Sequence, residues 1–536
     1  MSSERQIKVN QLGYPIGASK VAVFTKQYQD FEVVDQKTEQ VVYRGQLSEA
    51  TDDQASGDVV YLGDFSELTA TGHYQIKAGN DHSATFVIDE SPYQAARQAI
   101  LKAFYFYRCG IELTEEFAGE WAHKACHLEQ GIVFDNQEYR LDGTGGWHDA
   151  GDYGKYTVAG AKAVADLLLA YELKPDAFKQ EIPIPETDGI IPDILHECRF
   201  ELDWLLKMQE LDTGGVYHKL TTLEFPGLDV MPEDDLEPQY FTPMSATATG
   251  TFAAIMAMAA RVYHPFDQKF ATLCLERAEK AWQWLLANPE VPGFKNPIEI
   301  TTGEYGDNDD RDERYWAAAE LFRTTGEESY HQSVKALVRE SFPKNTFGWA
   351  DMGGYGTIAY LLNGEAASDQ DVYTQLKASL IKEAEQLVNV CSTDGYLISL
   401  KNEDYIWGSN MELMNQAMTL LFAHRFTEKK EFEDRALDHV HYLFGRNTLD
   451  MSYVTGYGDR SVMEPHHRPS VGDDVDAPVP GLVSGGPNAG IQDEYAAEHL
   501  QGRAPAKSFA DHEDSYATNE VTIYWNSPAL FVLAHF

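Results

Sequence analysis

Asp149 and Asp152 stand three residues apart in the run Gly145-Gly146-Trp147-His148-Asp149-Ala150-Gly151-Asp152-Tyr153-Gly154-Lys155-Tyr156. Only small residues separate them, and aromatic rings flank them on both sides. Hydrolysing an acetal near neutral pH takes one carboxylate that accepts a proton from water. It also takes a carboxyl group, held protonated, that donates to the leaving oxygen. Asp149 and Asp152 are candidates for the first. Trp147, Tyr153 and Tyr156 would offer flat apolar faces for sugar rings, and the glycines permit tight turns and close approach of a ligand. The competing reading is a Gly/Asp-rich surface turn without chemistry.

A candidate for the second carboxyl group is Glu520. It sits where the polar stretch from Phe509 gives way to an apolar one, and Val521, Ile523, Tyr524 and Trp525 would wall it with apolar surface. Such walls disfavour the charged form and raise the pKa, as a general acid requires. The alternative is a plain glutamate at a helix N-terminus, exposed and favoured by the helix dipole. A further stretch, Ser452 to Arg468, ends in Pro465-His466-His467-Arg468. Imidazoles and a guanidinium can hydrogen-bond sugar hydroxyls. A metal site is the rival, although adjacent histidines would point apart.

These residues need elements to position them. Residues 7 to 90 read as short strands at roughly ten-residue intervals: Ile7-Val9, Lys20-Phe24, Phe31-Val34, Gln40-Tyr43, Asp58-Leu62, His73-Ile76 and Ala84-Ile88. That rhythm predicts a small all-β sandwich of the immunoglobulin type over residues 1–91. Pro92 marks the change to helical periodicity. Amphipathic segments begin at Tyr93, Lys155, Asp193, Thr247, Phe266, Asp312, Tyr330, Gly354, Val372, Ser409, Glu431 and Asn519. Twelve helices over residues 92–536 suggest six hairpins closed into an α/α toroid, with bundles or stacked repeats as the alternative. The site would then belong among the long loops: Gly145-Asp152, Leu211-Met244, Pro289-Asp310 and Gly456-Ser508.

The chain of 536 residues is 43% hydrophobic and carries a formal charge of −43, so it is globular and acidic throughout. Such a field repels nucleic acid and anionic membranes and suits neutral or cationic substrates, or serves solubility alone. No apolar run is long enough to span a membrane. The N-terminus lacks an apolar leader, which gives the expectation of a cytoplasmic protein. Five cysteines, an odd and sparse set, argue against a disulfide framework. Cys109, Cys126, His127 and His148 are donors that suit tetrahedral zinc, but their spacing is irregular and equally reads as buried cysteines and stray histidines. Asn308 to Glu313 is an acidic run of the kind that suits calcium or merely charges a helix start.

Four segments together resemble glycoside hydrolase family 9, known for endoglucanases. Asn10-Gln11-Leu12-Gly13-Tyr14-Pro15 is similar to the opening of the immunoglobulin-like module found in one branch. Trp147 to Tyr153 resembles the aspartate motif, Ser452 to Arg468 the histidine signature, and Phe509 to Ser527 the glutamate signature. The resemblance implies an (α/α)6 barrel and an inverting mechanism. Asp152 would be the general base, Asp149 would help position the water, and Glu520 would be the general acid. Trp147, Tyr153, His466, Arg468 and Tyr516 would meet the sugar, and Asp511 would support Glu520. It also implies a structural zinc on Cys109, Cys126, His127 and His148, a calcium on Asp312, Glu313 and Asp351, and no organic cofactor.

The expected partner is therefore a carbohydrate. With no leader and no cellulose-anchoring module in view, the sequence favours an intracellular exo-β-glucosaminidase-like enzyme acting on soluble gluco- or glucosamino-oligosaccharides. Glu233, Asp234, Asp235 and Glu237 are candidates to meet the amine. The alternatives are an endo-β-1,4-glucanase and a carbohydrate-binding protein with a dead site.

Overall fold

A computed structural model describes residues 4–536. They fall into two compact units. The first comprises the residues up to Ala103, Glu383–His466 and Val475–Phe536; the second comprises Phe104–Lys382 and His467–Asp474. This partition does not coincide with the boundary read at residues 91–92. It groups segments by packing, and the strand-rich segment is one part of the first unit.

All seven predicted strands form, joined by two short ones, Gly13–Pro15 and Thr51–Asp52. They make two sheets. One pairs Ile7–Lys8, Val21–Phe24, Val59–Asp64 and Thr51–Asp52. The other runs Gly13–Pro15, Asp81–Asp89, Gly72–Ala78, Phe31–Asp35 and Val41–Gly45. Their inward residues form one core of Ile7, Phe24, Phe31, Phe65, Tyr74 and Phe86 around Tyr14, whose ring meets Phe65 and Phe86 edge-on. The Asn10–Pro15 motif has a local cause. Asn10 Oδ1 accepts from the amides of Leu12 and Gly13, closing a turn. Gly13 has φ 139°, and a Cβ there would lie 2.3 Å from Val87 O. Asn10 and Gln11 then bond His441 and Asp450 O within the same unit.

Among the described residues, twelve helices reach ten residues or more. Each predicted start lies within two residues of one, except that at Asn519. Thr157–Leu173, Ala246–Tyr263, Arg311–Thr325 and Gly353–Leu362, all in the second unit, pack successively on one another. They are buried nearly all round. Small residues make this possible: Gly250 lies so near Glu313 that an added Cβ would sit 2.6 Å from Glu313 Cβ. Three of them also carry a one-sided amphipathic helix: Asp193–Lys207, Gln268–Ala287 and Glu328–Val338. In the first unit Ser409–Thr427 and Ile523–Leu533 are buried nearly all round and pack on each other, and Lys430–Leu443 packs on the former. No described helix is long and apolar enough to cross a membrane.

The sequence reading missed a five-stranded sheet in the second unit. Its order is Asn136–Leu141, Gly131–Val133, Tyr240–Phe241, Lys219–Thr221 and Lys155–Tyr156. Four of its strands have only two or three residues and leave no periodic signal, and the fifth, Asn136–Leu141, is exposed along nearly its whole length. This sheet fixes the C-terminal end of the aspartate run.

Candidate active site

In the second unit the Trp147–Tyr156 run is held from below by buried charges. The Trp147 amide donates to Glu201 at 2.6 Å and its indole N–H to Glu197 at 2.9 Å. The Lys155 ammonium donates to Gly143 O and Gly145 O. The turn closes on itself: Asp149 N–H donates to Gly154 O, and Gly154 N–H donates to Asp152 Oδ2, each at 2.9 Å. Both aspartates are buried, and Asp149 Oδ2 accepts from the Tyr305 hydroxyl at 2.5 Å. Burial raises the Asp152 pKa above the usual aspartate value, opposed first by the Arg468 guanidinium, then by the Gly154 amide and the Lys219 ammonium.

Arg468 binds backbone. Nη1 donates to Gly151 O at 2.8 Å, and Nε and Nη2 both donate to Pro226 O. The expectation that it meets a sugar is corrected: it is 6% exposed and clamps the aspartate turn to the 226 loop. Trp147 and Tyr153 are corrected likewise. Trp147 is 1% exposed with its ring against Phe104, and Tyr153 is buried with its hydroxyl on Val230 O. Tyr156 is buried too. A ring without a free face cannot stack on a sugar.

In the first unit Glu520 lies in an extended segment between the short helix Tyr516–Asn519 and the helix Ile523–Leu533. The helix predicted to start at Asn519 is thus interrupted, and Glu520 is no helix N-terminus. It pairs in parallel with His466, Gly485 N–H donates to its carbonyl at 2.8 Å, and Val521 pairs with Ser484. Val521, Ile523 and Trp525 are buried beside it, while Glu520 itself is half-buried. Asp511 accepts from the amides of Met463 and Glu464 and from the Asn519 side chain. It therefore fixes the residue before Glu520 and is placed to support it, not to meet sugar. The His466 ring bonds Glu513 O at 2.6 Å and meets Tyr516 edge-on. The His467 ring bonds Ser470 instead, so the two imidazoles serve different partners.

The exposed aromatic faces lie elsewhere. Tyr516, 37% exposed, packs with Trp407, 39% exposed, in the first unit. In the second, half-buried Tyr305 packs between Tyr156 and Trp349. Trp407, Tyr305 and Trp349 carry no motif. The only hint was that Tyr305 falls in a long irregular loop.

Two groups of donors converge in the second unit. The ligand atoms of Cys109, Cys126, His127 and His148 lie within 4.8 Å of one another. His127 Nε2 is 3.2 Å from Asp235 Oδ2, and His123 Nδ1 is 3.9 Å from Glu233 Oε2. Asp235, one of the four carboxylates expected to meet an amine, is thus engaged by a residue of this cluster. Two thiols and two imidazoles, largely shielded from solvent, fit zinc. The second group is Asp307, Asp312 and Glu313. Asp351 is exposed and outside it, so the expected ligand set is corrected to include Asp307 instead. Fully buried Glu313 has both oxygens without a hydrogen-bond partner, as has Asp307 Oδ2. Burial, then the neighbouring carboxylates, drives the Glu313 pKa far up, and burial pushes Asp312 up to about 7. Hard oxygens so crowded fit a hard cation.

The family model described as Glycosyl hydrolase family 9 matches residues 93–533, and that described as Cellulase N-terminal ig-like domain matches residues 2–83. The cellodextrinase of Butyrivibrio fibrisolvens is 38% identical, over 99% of each chain. A single mutant of the thermostable endoglucanase from Alicyclobacillus acidocaldarius superposes with a TM-score of 0.94 at 43% identity, covering 99% of both chains. A second structure, in complex with a cellobiose-like isofagomine, gives 0.93 at 43% identity, again over 99% of both chains.

Proposed function

The chain belongs to glycosyl hydrolase family 9 and is a glycoside hydrolase with an immunoglobulin-like N-terminal domain, and from that premise we propose that it cleaves β-1,4-glucan chains with inversion. The observation that carries this is the Asp149–Asp152 turn, with one carboxylate held by the Gly154 amide and the other by the Tyr305 hydroxyl. Asp152 takes the proton of a water that Asp149 orients, as that water attacks the anomeric carbon. Glu520 gives its proton to the leaving oxygen on the opposite face. An inverting mechanism needs room for a water between the base and the sugar. Tyr516 and Trp407, with Tyr305 and Trp349, are the rings we assign to sugar stacking, and His466 to hydroxyl binding. We read the helical domain as an (α/α)6 barrel, supported by the pairing of all-round buried helices with amphipathic ones.

The substrate is a gluco-oligosaccharide or glucan. The relatives described above are named for cellodextrins and glucans, and Asp235 is occupied by His127 of the cysteine cluster. These favour the glucanase alternative over the glucosaminide reading. Cys109, Cys126, His127 and His148 would hold zinc, and Asp307, Asp312 and Glu313 calcium. When bound, each ion would cross-link the segments that supply its ligands.

Proton NMR of fresh product from cellotetraose tests the mechanism. The α-anomer should appear first. Initial β-anomer would mean retention and overturn the roles given to Asp149 and Asp152.

A further inference from the structure

Lys219 is a buried cation in no motif. It lies on the strand Lys219–Thr221, fully shielded from solvent, and pairs across the ladder with Tyr156. Its ammonium donates to Thr302 Oγ1 at 2.9 Å and to Gly303 O at 2.6 Å. The preceding residue acts alike: His218 Nε2 lies 3.0 Å from Glu304 O. Two consecutive residues, Lys219 and the one just before its strand, therefore fix residues 302–304. The chain then reaches Tyr305 at φ 47°, a left-handed conformation that a non-glycine residue keeps only when its surroundings enforce it. The Tyr305 ring rests on Tyr156 at 4.6 Å, and its hydroxyl reaches Asp149. The same ammonium stands 5.5 Å from the centre of the Tyr156 ring.

The geometry points to Lys219 as a positioning residue of the hydrolytic site: it anchors the 302–304 strap that presents Tyr305 to Asp149. The inference rests on Asp152 being the base. Lys219 and Arg468 are the cations facing Asp152, and Asp152 and Glu304 the anions facing Lys219. Burial brings the Lys219 ammonium down to about 7, against the pull of Asp152 and Glu304. It thus carries its charge at acidic pH. Losing it leaves Asp152 with Arg468 alone, so the Asp152 pKa rises and the acid limb of the pH–rate profile moves to higher pH.

The test compares wild type, Lys219→Met and Lys219→Gln on cellotetraose. For Lys219→Met the expected result is kcat about 10- to 100-fold lower with KM within about threefold, since a small misplacement costs the chemical step more than binding. The acid limb of kcat/KM should move up by about half a pH unit or more. Lys219→Gln keeps a donor for the strap without the charge. Its kcat should fall less while its acid limb moves as far, and it is the variant to read if the methionine protein does not fold. A folded variant with wild-type kcat and an unmoved limb overturns the proposal. So does a fall in kcat with the limb unmoved in both variants, because packing alone would do that. A wild-type enzyme inert on every β-1,4-glucan tried would instead overturn the proposed function.

Discussion

At the scale of single residues, the two sides of the chemistry are held by different means. The aspartates sit in a turn whose own amides and a tyrosine hydroxyl fix them. Glu520 hangs from an extended segment pinned by backbone pairing to His466 and Gly485. Glu520→Gln keeps that backbone and removes only the proton. On unactivated glycosides its kcat should fall about 10²–10⁴-fold with oligosaccharide binding intact by calorimetry. Near-normal turnover would remove Glu520 from the role of acid. Arg468 bridges two carbonyls with a planar fork that an ammonium cannot copy. Arg468→Lys should therefore lower kcat by about tenfold or more with little change in KM; a rise in KM alone would return Arg468 to sugar binding.

At the scale of elements, short connections carry the stability that matters. The cluster around Cys126 includes His148, next to Asp149, so metal there would brace the aspartate turn. Protein prepared without chelators should contain about one zinc per chain. Cys126→Ser should lose the zinc and melt several degrees lower. Unchanged melting would show the cluster to be incidental. A second junction joins the strand-rich segment to the residues after helix Gln370–Cys391. Asp53 accepts from Gly395 N–H, and Asp394, hydrogen-bonded to Asp53, accepts from the amides of Tyr396 and Ile398. Burial, then the charge of Asp53, pushes Asp394 up to about 8. The folded state therefore holds a proton that the unfolded chain releases near the ordinary value of 3.8. That stabilisation is complete below the unfolded value and is lost as pH rises toward 8. Asp394→Asn mimics the protonated form. Its melting temperature should gain on wild type as pH rises through this window, and a pH-independent difference would refute the account.

At the scale of the whole molecule, the net charge of −43 sets an atmosphere, not a specificity. A neutral glucan gains nothing from that field, so kcat/KM on cellotetraose should change by less than about twofold between low and high salt. Di-glucosamine should be a poor substrate at either. Rapid, salt-sensitive cleavage of di-glucosamine would restore the cationic-sugar reading.

The sequence by itself determined the kinds of element and offered the candidate carboxylates. Seven strands and eleven of twelve helix starts were legible because a repeating apolar pattern records which face is buried. Asp149, Asp152 and Glu520 could be named as candidates because proton transfer to and from an acetal admits few side chains, and their motifs are contiguous. Tertiary structure alone decided which aromatic rings keep an exposed face: Trp147 and Tyr153 are buried where Trp407 and Tyr516 are not. It also turned Arg468 onto backbone carbonyls and replaced Asp351 by Asp307 in the acidic group. It built the sheet of mostly two- and three-residue strands from which Lys219 reaches the strap before Tyr305. These are pairings between residues far apart in the chain, and no local pattern encodes them, because burial of a ring or partnering of a charge depends on what the fold brings against it.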